Sequence, residues 1–179
     1  MASEEGFCLW FTGLSGSGKT TITNVLVKEL RRRGSKLEVL DGDIVRQNLS
    51  KGLGFSKEDR DTNIARIGWV ASRLARAGAV VVVSAISPYE EMRRHARSLV
   101  EQHAPFVEVY VATSLEECAR RDVKGLYAKA RTGEIPEFTG VSDPYEPPLT
   151  PELRIDTTGK TPQECATEVM TYLEKQHLA

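Results

Sequence analysis

The stretch Gly13-Leu14-Ser15-Gly16-Ser17-Gly18-Lys19-Thr20 constrains this chain more than any other part of it. It fits GxxxxGK[ST], in which glycines let the backbone turn tightly enough for successive N–H groups to face one anion. The helix that should follow adds partial positive charge at its N-terminus. A chance match in a Gly/Ser loop would lack a strand before it and a helix after it. Here Phe7–Thr12 is a short apolar, β-favouring run, and Ile22, Val25, Leu26 and Leu30 recur at helical spacing until Gly34. The pattern predicts that Gly13, Ser15, Gly16, Ser17, Gly18, Lys19, Thr20 and Thr21 hold the phosphates of ATP. Lys19 would reach the β- and γ-phosphates, and the Thr20 hydroxyl would ligate Mg²⁺.

The rest of the chain supplies the same alternation. Strands are expected at Leu37–Leu40, Ala79–Val83, Phe106–Val111 and Leu153–Asp156. Helices are expected from Lys19 to Arg33, from the cap Ser56 to about Ala77, from about Tyr89 to Gln102, over Leu115–Asp122, and over Pro162–Gln176. Alternating strands and helices imply an α/β fold, with a parallel sheet covered on both faces. Residues 124–148 lose apolar periodicity and gather Gly125, Gly133, Gly140, Pro136, Pro144, Pro147 and Pro148. A loop of that length in a compact domain is usually functional, often an active-site lid. The expected organisation is one domain over 1–179, with the lid at about 122–148.

Composition removes several function classes. The net charge is −1, whereas nucleic-acid binders usually carry a basic footprint. No apolar run approaches the ~20 residues that span a bilayer. Met1–Gly6 carries two glutamates and no basic segment, so it does not read as a signal peptide. Cys8, Cys118 and Cys165 are far apart and read as reduced, buried, cytosolic thiols. His95, His103 and His177 have no metal-ligand spacing. Trp10, in the first strand, and Trp69, in the long helix, read as core.

A phosphate loop alone does not name a reaction. There is no NKxD-type guanine-reading motif, and the third strand runs into Ser84 where a nucleotide hydrolase would place an acid. The acidic pair follows the second strand instead, at Asp41 and Asp43. In parallel α/β sheets ligands bind outside the carboxyl ends of the strands. A carboxylate there could orient an attacking hydroxyl and help place a metal, or it could cap the helix that includes Arg46. Arg46 can share a face with Asp43, and Arg60 and Asn63 have the same spacing at the start of the long helix. The latter pair reads either as a solvated helix start or as the border of a pocket.

Longer segments are more specific. GLSGSGKTT at Gly13–Thr21, DGDxxR at Asp41–Arg46 and LGFSxxDRxxNIxRI from Leu53 to Ile67 resemble the adenylylsulfate (APS) kinase family. So do Ile86-Ser87-Pro88, CxxRDxKGLYxKAR from Cys118 to Arg131, and FTGxxDPYExPxxPEL from Phe138 to Leu153. The segments keep the family's order and cover nearly the whole chain. The resemblance implies a three-layer P-loop kinase fold with a five-stranded parallel core, commonly dimeric. It also implies transfer of the γ-phosphoryl of Mg-ATP to the 3′-hydroxyl of adenylyl sulfate, giving 3′-phosphoadenylyl sulfate.

By that resemblance Arg46, Arg60 and Asn63 would hold the phosphosulfate and ribose, and Phe55 and Phe138 would sandwich the substrate adenine. Ile86 and Ser87 would line the same pocket. Ser87 is read as a wall residue and not as a covalent nucleophile, because in-line transfer needs fewer steps. Lys124 and the Gly125-Leu126-Tyr127 segment would form the closing lid, and Arg121 and Lys160-Thr161-Pro162 would hold the ATP adenine. Lys19 and Asp43 are the expected catalytic pair, with Thr20 and Asp43 at the metal. Ala65 and Val141-Ser142-Asp143 depart from common family residues but remove no assigned role. Other P-loop small-molecule kinases, of nucleoside-monophosphate or shikimate type, share the loop and acidic pair without the longer segments. A catalytically silent nucleotide-binding module would keep binding and lose turnover.

Overall fold

The computed structural model describes residues 6–179. In chain order the elements are β1 (Phe7–Thr12), α1 (Lys19–Arg32), β2 (Leu37–Asp41), α2 (Gly42–Gln47), α3 (Lys57–Arg76) and β3 (Val80–Ser84). Then come α4 (Glu90–Val100), β4 (Phe106–Val111), α5 (Leu115–Arg121), α6 (Leu126–Arg131), β5 (Leu153–Ile155) and α7 (Pro162–Lys175). The five strands form one sheet in the order β2-β3-β1-β4-β5, and every pairing is parallel. Phe11 of β1 and Asp41 of β2 both lie in register with Ser84 of β3. The carboxyl ends of these three strands therefore sit side by side, which brings the phosphate loop, Asp41 and the Ile86-Ser87 turn to one edge.

β1 is apolar from Phe7 to Phe11, as suits a strand buried on both faces. Phe7, Leu9 and Phe11 pack with Ile22, Leu26 and Leu30 of α1 and with Val169 and Leu173 of α7. Cys8 and Trp10 alternate to the other face, where they meet Ile64, Ile67 and Ala71 of α3 and Ala96 and Val100 of α4. Two helical layers thus cover one sheet. Serine and threonine caps start the helices where expected: the Ser56 hydroxyl accepts from Asp59 N, and Thr161 with Glu164 forms a full capping box on α7. Among the described residues no helix is long and apolar enough to cross a membrane. The three cysteines are free and buried.

Two expectations are corrected. Residues 124–148 contain the helix α6, which the loss of periodicity hid. Only Tyr127 and Ala130 of its six residues point inward, too few to repeat. Its cap comes from outside: Asp122, in a left-handed conformation with φ 32°, accepts from Tyr127 N and Ala128 N. Trp69 is not core; it is 57 % exposed, while Trp10 is fully buried. The buried stripe of α3 runs through Asn63, Ile64, Ile67, Gly68 and Ala71, and Trp69 lies about 100° round the helix from Gly68. Its ring stacks under the Arg73 guanidinium at 5.8 Å instead.

Candidate active site

The phosphate loop is braced from behind by two threonines. Thr113 Oγ1 and Thr157 Oγ1 both donate to Ser17 O, at 2.9 and 3.0 Å. Two glycines are required by space and by torsion. A Cβ on Gly13 (φ 151°) would stand 2.5 Å from Val111 O, and one on Gly18 (φ 110°) 3.2 Å from the Thr157 methyl. The loop is therefore held against β4 and the end of β5, with the Ser17 amide donating within it to Leu14 O at 3.2 Å.

Lys19 folds back onto this loop, donating to Gly13 O at 2.9 Å and Leu14 O at 2.8 Å. Burial pushes its ammonium down to about 8. An anion in the loop would compete with those two carbonyls for the same protons and favour the charged form. Beside it an oxygen cluster forms. The Thr20 hydroxyl donates to Asp41 Oδ2 at 3.3 Å and lies 3.4 Å from Ser84 Oγ. Asp41 is both a cap and a site residue, because its Oδ1 accepts from Asp43 N at 3.0 Å. Asp43 pairs with Lys124 at 2.7 Å. An all-oxygen set of hydroxyls and carboxylates suits Mg²⁺, which takes few protein ligands and relies on phosphate and water for the rest. The residues therefore fit that ion, with Asp41 as the carboxylate nearest Thr20, and Asp43 one residue beyond Gly42.

These groups open on a cavity of about 460 Å³, a size suited to small-molecule ligands. Ser15, Gly16, Gly18, Thr20, Thr21 and Arg121 line one end. Arg46, Phe55, Arg60, Asn63, Ile86 and Ser87 line the other, with Lys124 and Leu126 above. Arg46 lies 4.6 Å over the Phe55 ring, which is more than half exposed into this space. Asn63 is buried, and its Oδ1 has no hydrogen-bond partner. An orphaned acceptor in a pocket wall is costly unless a ligand completes it.

Arg60 is placed in the wall but is largely engaged by the chain itself. It donates to Phe55 O at 2.6 Å, to Thr139 Oγ1 and to Glu137 O, and pairs with Asp143 at 3.2 Å. Ser87 holds the left-handed φ of 41°, and its hydroxyl accepts from the Trp10 indole at 3.0 Å. Arg121 braces Thr157 through Oγ1 at 2.9 Å.

Four of the expected residues do not line the cavity. Gly13 and Ser17 lie beneath it in the loop. Phe138 packs edge-on against Tyr127, ring centroids 5.0 Å apart. Lys160 pairs with Glu168 at 2.7 Å, away from the cavity. Sequence reasoning missed Thr113 and Thr157, and it placed Tyr127 in the lid without a role for its hydroxyl. That hydroxyl donates to Ser15 O at 2.7 Å, and burial pushes the phenol up, so it stays a donor. Tyr127 stands within a quoted motif, but nothing in that motif says that its hydroxyl reaches the phosphate loop.

An anion cradle at one end and a guanidinium wall at the other, sharing one cavity over the carboxyl ends of parallel strands, is the layout of a P-loop phosphotransferase. The sequence pattern of the family described as adenylylsulphate kinase matches residues 5–156. The adenylyl-sulfate kinase of Rippkaea orientalis is 58 % identical over 172 residues, covering 96 % of this chain and 93 % of that protein. Among solved structures, the Mycobacterium tuberculosis APS kinase CysC in complex with AMPPNP and APS superposes with a TM-score of 0.91 at 46 % identity. That match covers 95 % of this chain and 98 % of the other. A hexameric APS kinase from Thiobacillus denitrificans matches at TM-score 0.75 and 36 % identity, over 97 % of this chain but 30 % of that one. The chain belongs to the adenylylsulfate kinase family.

Proposed function

We propose that this protein transfers the γ-phosphoryl of ATP to the 3′-hydroxyl of adenylyl sulfate, giving 3′-phosphoadenylyl sulfate and ADP in sulfate assimilation. The observation that carries the reading is family membership over nearly the whole chain, joined to a single cavity that reaches from the phosphate loop to Arg46, Arg60 and Asn63.

ATP phosphates would take the loop amides, and Lys19 would leave Gly13 O and Leu14 O for the phosphate oxygens. Thr20, with Asp41 and Asp43, would hold Mg²⁺, which when bound neutralises charge on the transferring phosphate. Adenylyl sulfate would lie along Arg46 and Arg60, whose planar forks suit phosphate and sulfate oxygens. Its ribose would complete the orphaned Asn63 Oδ1. The exposed Phe55 ring would stack on its adenine, with Phe138 able to join only by moving off Tyr127. Asp43 would orient the 3′-hydroxyl toward the γ-phosphorus or accept its proton. Most of the rate would come from positioning and electrostatics.

Residues 122–148 would act as a lid on a domain spanning 1–179. They touch the phosphate loop through Tyr127 and Asp43 through Lys124. Closure would keep out water, the competing acceptor. The enzyme would work as a homodimer in the cytoplasm, where three buried free thiols stay reduced; light scattering that gave a monomer mass at working concentration would remove the dimer.

The test of the activity is product analysis. Purified protein is mixed with Mg-ATP and adenylyl sulfate, beside nucleoside monophosphates and shikimate. The expected product is 3′-phosphoadenylyl sulfate, absent with Lys19→Ala. ATP bound without any turnover would mean a silent binding module, and preference for another acceptor would overturn the substrate.

A further inference from the structure

Among the described residues Arg93 is the most deeply buried charged side chain, 1 % exposed, and it does not line the cavity. It lies in the first turn of α4, yet its guanidinium reaches out of that helix in two directions. Nη1 donates to Ser87 O at 2.7 Å. Nη2 donates to Glu146 O at 2.6 Å and to Glu90 Oε2 at 2.6 Å. The Nε edge faces Glu108 Oε1 at 3.2 Å. Ser87 belongs to the acceptor wall. Glu146 belongs to the foot of the 122–148 segment, where the chain returns toward β5. One planar group therefore holds two backbone carbonyls from parts of the chain about sixty residues apart, one of them, Ser87, in the cavity wall.

The junction is tied further. Glu146 N donates to Pro88 O at 2.8 Å, and Glu146 Oε2 accepts from Glu90 N at 2.8 Å, capping α4 in place of its own N-cap residue. Tyr145 OH lies 2.8 Å from Thr12 Oγ1, which donates to Ile86 O at 2.7 Å. A buried guanidinium needs pairing to be tolerated, and Glu90 and Glu108 pair this one, although its Nε makes no hydrogen bond. Here it is spent on fixing main-chain oxygens, which no substitution at their own positions could replace. Ser87 also sits at a positive φ that a serine rarely adopts, so its carbonyl direction depends on what holds it from outside.

We propose that Arg93 is a positioning residue for the acceptor half of the site. It sets the Ile86-Ser87 wall against the foot of the covering segment without touching either substrate. The phosphate loop rests on Thr113 and Thr157 instead. Loss of Arg93 should therefore damage acceptor binding and spare ATP. The inference rests on the adenylylsulfate kinase reading.

The test is steady-state kinetics on both substrates with three variants. Arg93→Lys keeps the charge, but a point donor cannot span two carbonyls as a fork does. It should raise KM for adenylyl sulfate about tenfold or more and KM for ATP less than about twofold. Glu146→Ala loosens the same foot from an exposed position, removing its side-chain bond to Glu90 N while the main-chain bonds to Arg93 and Pro88 stay, and should raise KM for adenylyl sulfate about threefold with ATP unaffected. Glu108→Gln removes the buried partner without touching either carbonyl, and should lower the melting temperature while leaving both KM values in place. Equal changes in both KM values for Arg93→Lys, or a split for Glu108→Gln as large as for Arg93→Lys, would reduce Arg93 to a stabilising residue. Should Arg93→Lys not fold, Glu146→Ala decides: no selective rise overturns the proposal. Absence of adenylyl sulfate turnover by the unsubstituted enzyme is a separate failure, of the activity and not of the junction.

Discussion

Lys19 carries a proton balance that can be measured. Its ammonium titrates near 8 when it is folded onto the loop, against about 10.5 for an ordinary lysine, chiefly because it is buried. Between those values the unfolded chain holds a proton that the folded chain has released. On this group's account stability therefore rises as pH climbs from about 8 toward 10.5. Nucleotide works the other way: phosphate oxygens favour the ammonium, so binding above pH 8 takes up a proton and weakens as pH rises. Titration calorimetry at pH 8.5 in two buffers of different ionisation enthalpy should show uptake of about 0.7 proton per ATP, and none with Lys19→Met. Zero uptake by the unsubstituted protein would mean that Lys19 does not change its surroundings on binding. The two aspartates should separate in the same experiments. Asp41→Asn, beside Thr20, should weaken Mg-ATP binding. Asp43→Asn should lower kcat by about 10²- to 10⁴-fold and weaken Mg-ATP binding less than Asp41→Asn does.

At the scale of elements, α3 and α4 cross closely because Gly68 has no side chain. A Cβ there would stand 2.9 Å from Ala96 Cβ and 3.0 Å from Ala96 Cα. Gly68→Ala sets a helix-propensity gain of about 1 kcal/mol against that clash, so the two nearly cancel. Gly68→Val gains less from propensity and adds two methyls, and should lose about 2–3 kcal/mol, read as a lower urea midpoint at unchanged m. An unchanged midpoint would mean that the helices can separate freely. The sheet and long helices were legible in the sequence because periodicity and caps act locally: Phe7–Thr12, the Ser56 cap and Pro162 all stand where they were read. The cavity was legible because the family's segments name its walls. What was hidden depends on distant partners. Trp69 is apolar yet off the buried stripe, α6 is capped from Asp122, and Asp43 meets Lys124, 81 residues away. No local pattern records such pairings.

Across the whole molecule, one segment touches both halves of the site. Tyr127 of residues 122–148 donates to Ser15 O in the phosphate loop. Thr139 and Asp143 of the same segment engage Arg60 in the cavity wall. Glu146 then ties its foot beside Ser87. A ligand at either end that favours the closed segment makes part of the other ligand's ordering unnecessary, which is positive coupling. Linkage requires the coupling to be reciprocal: an ATP analogue must tighten adenylyl sulfate by the same factor as adenylyl sulfate tightens the analogue. The expected factor is about fivefold or more, the lower range for coupled sites. Tyr127→Phe removes the hydroxyl that reaches Ser15 while keeping the ring against Phe138, so it should bring the factor toward one with each separate affinity little changed. Calorimetric binding of each ligand with and without the other measures all four constants. A factor of one in the unsubstituted protein would mean that the segment closes independently over each substrate, and that the contacts at Ser15 and Arg60 are not parts of one device.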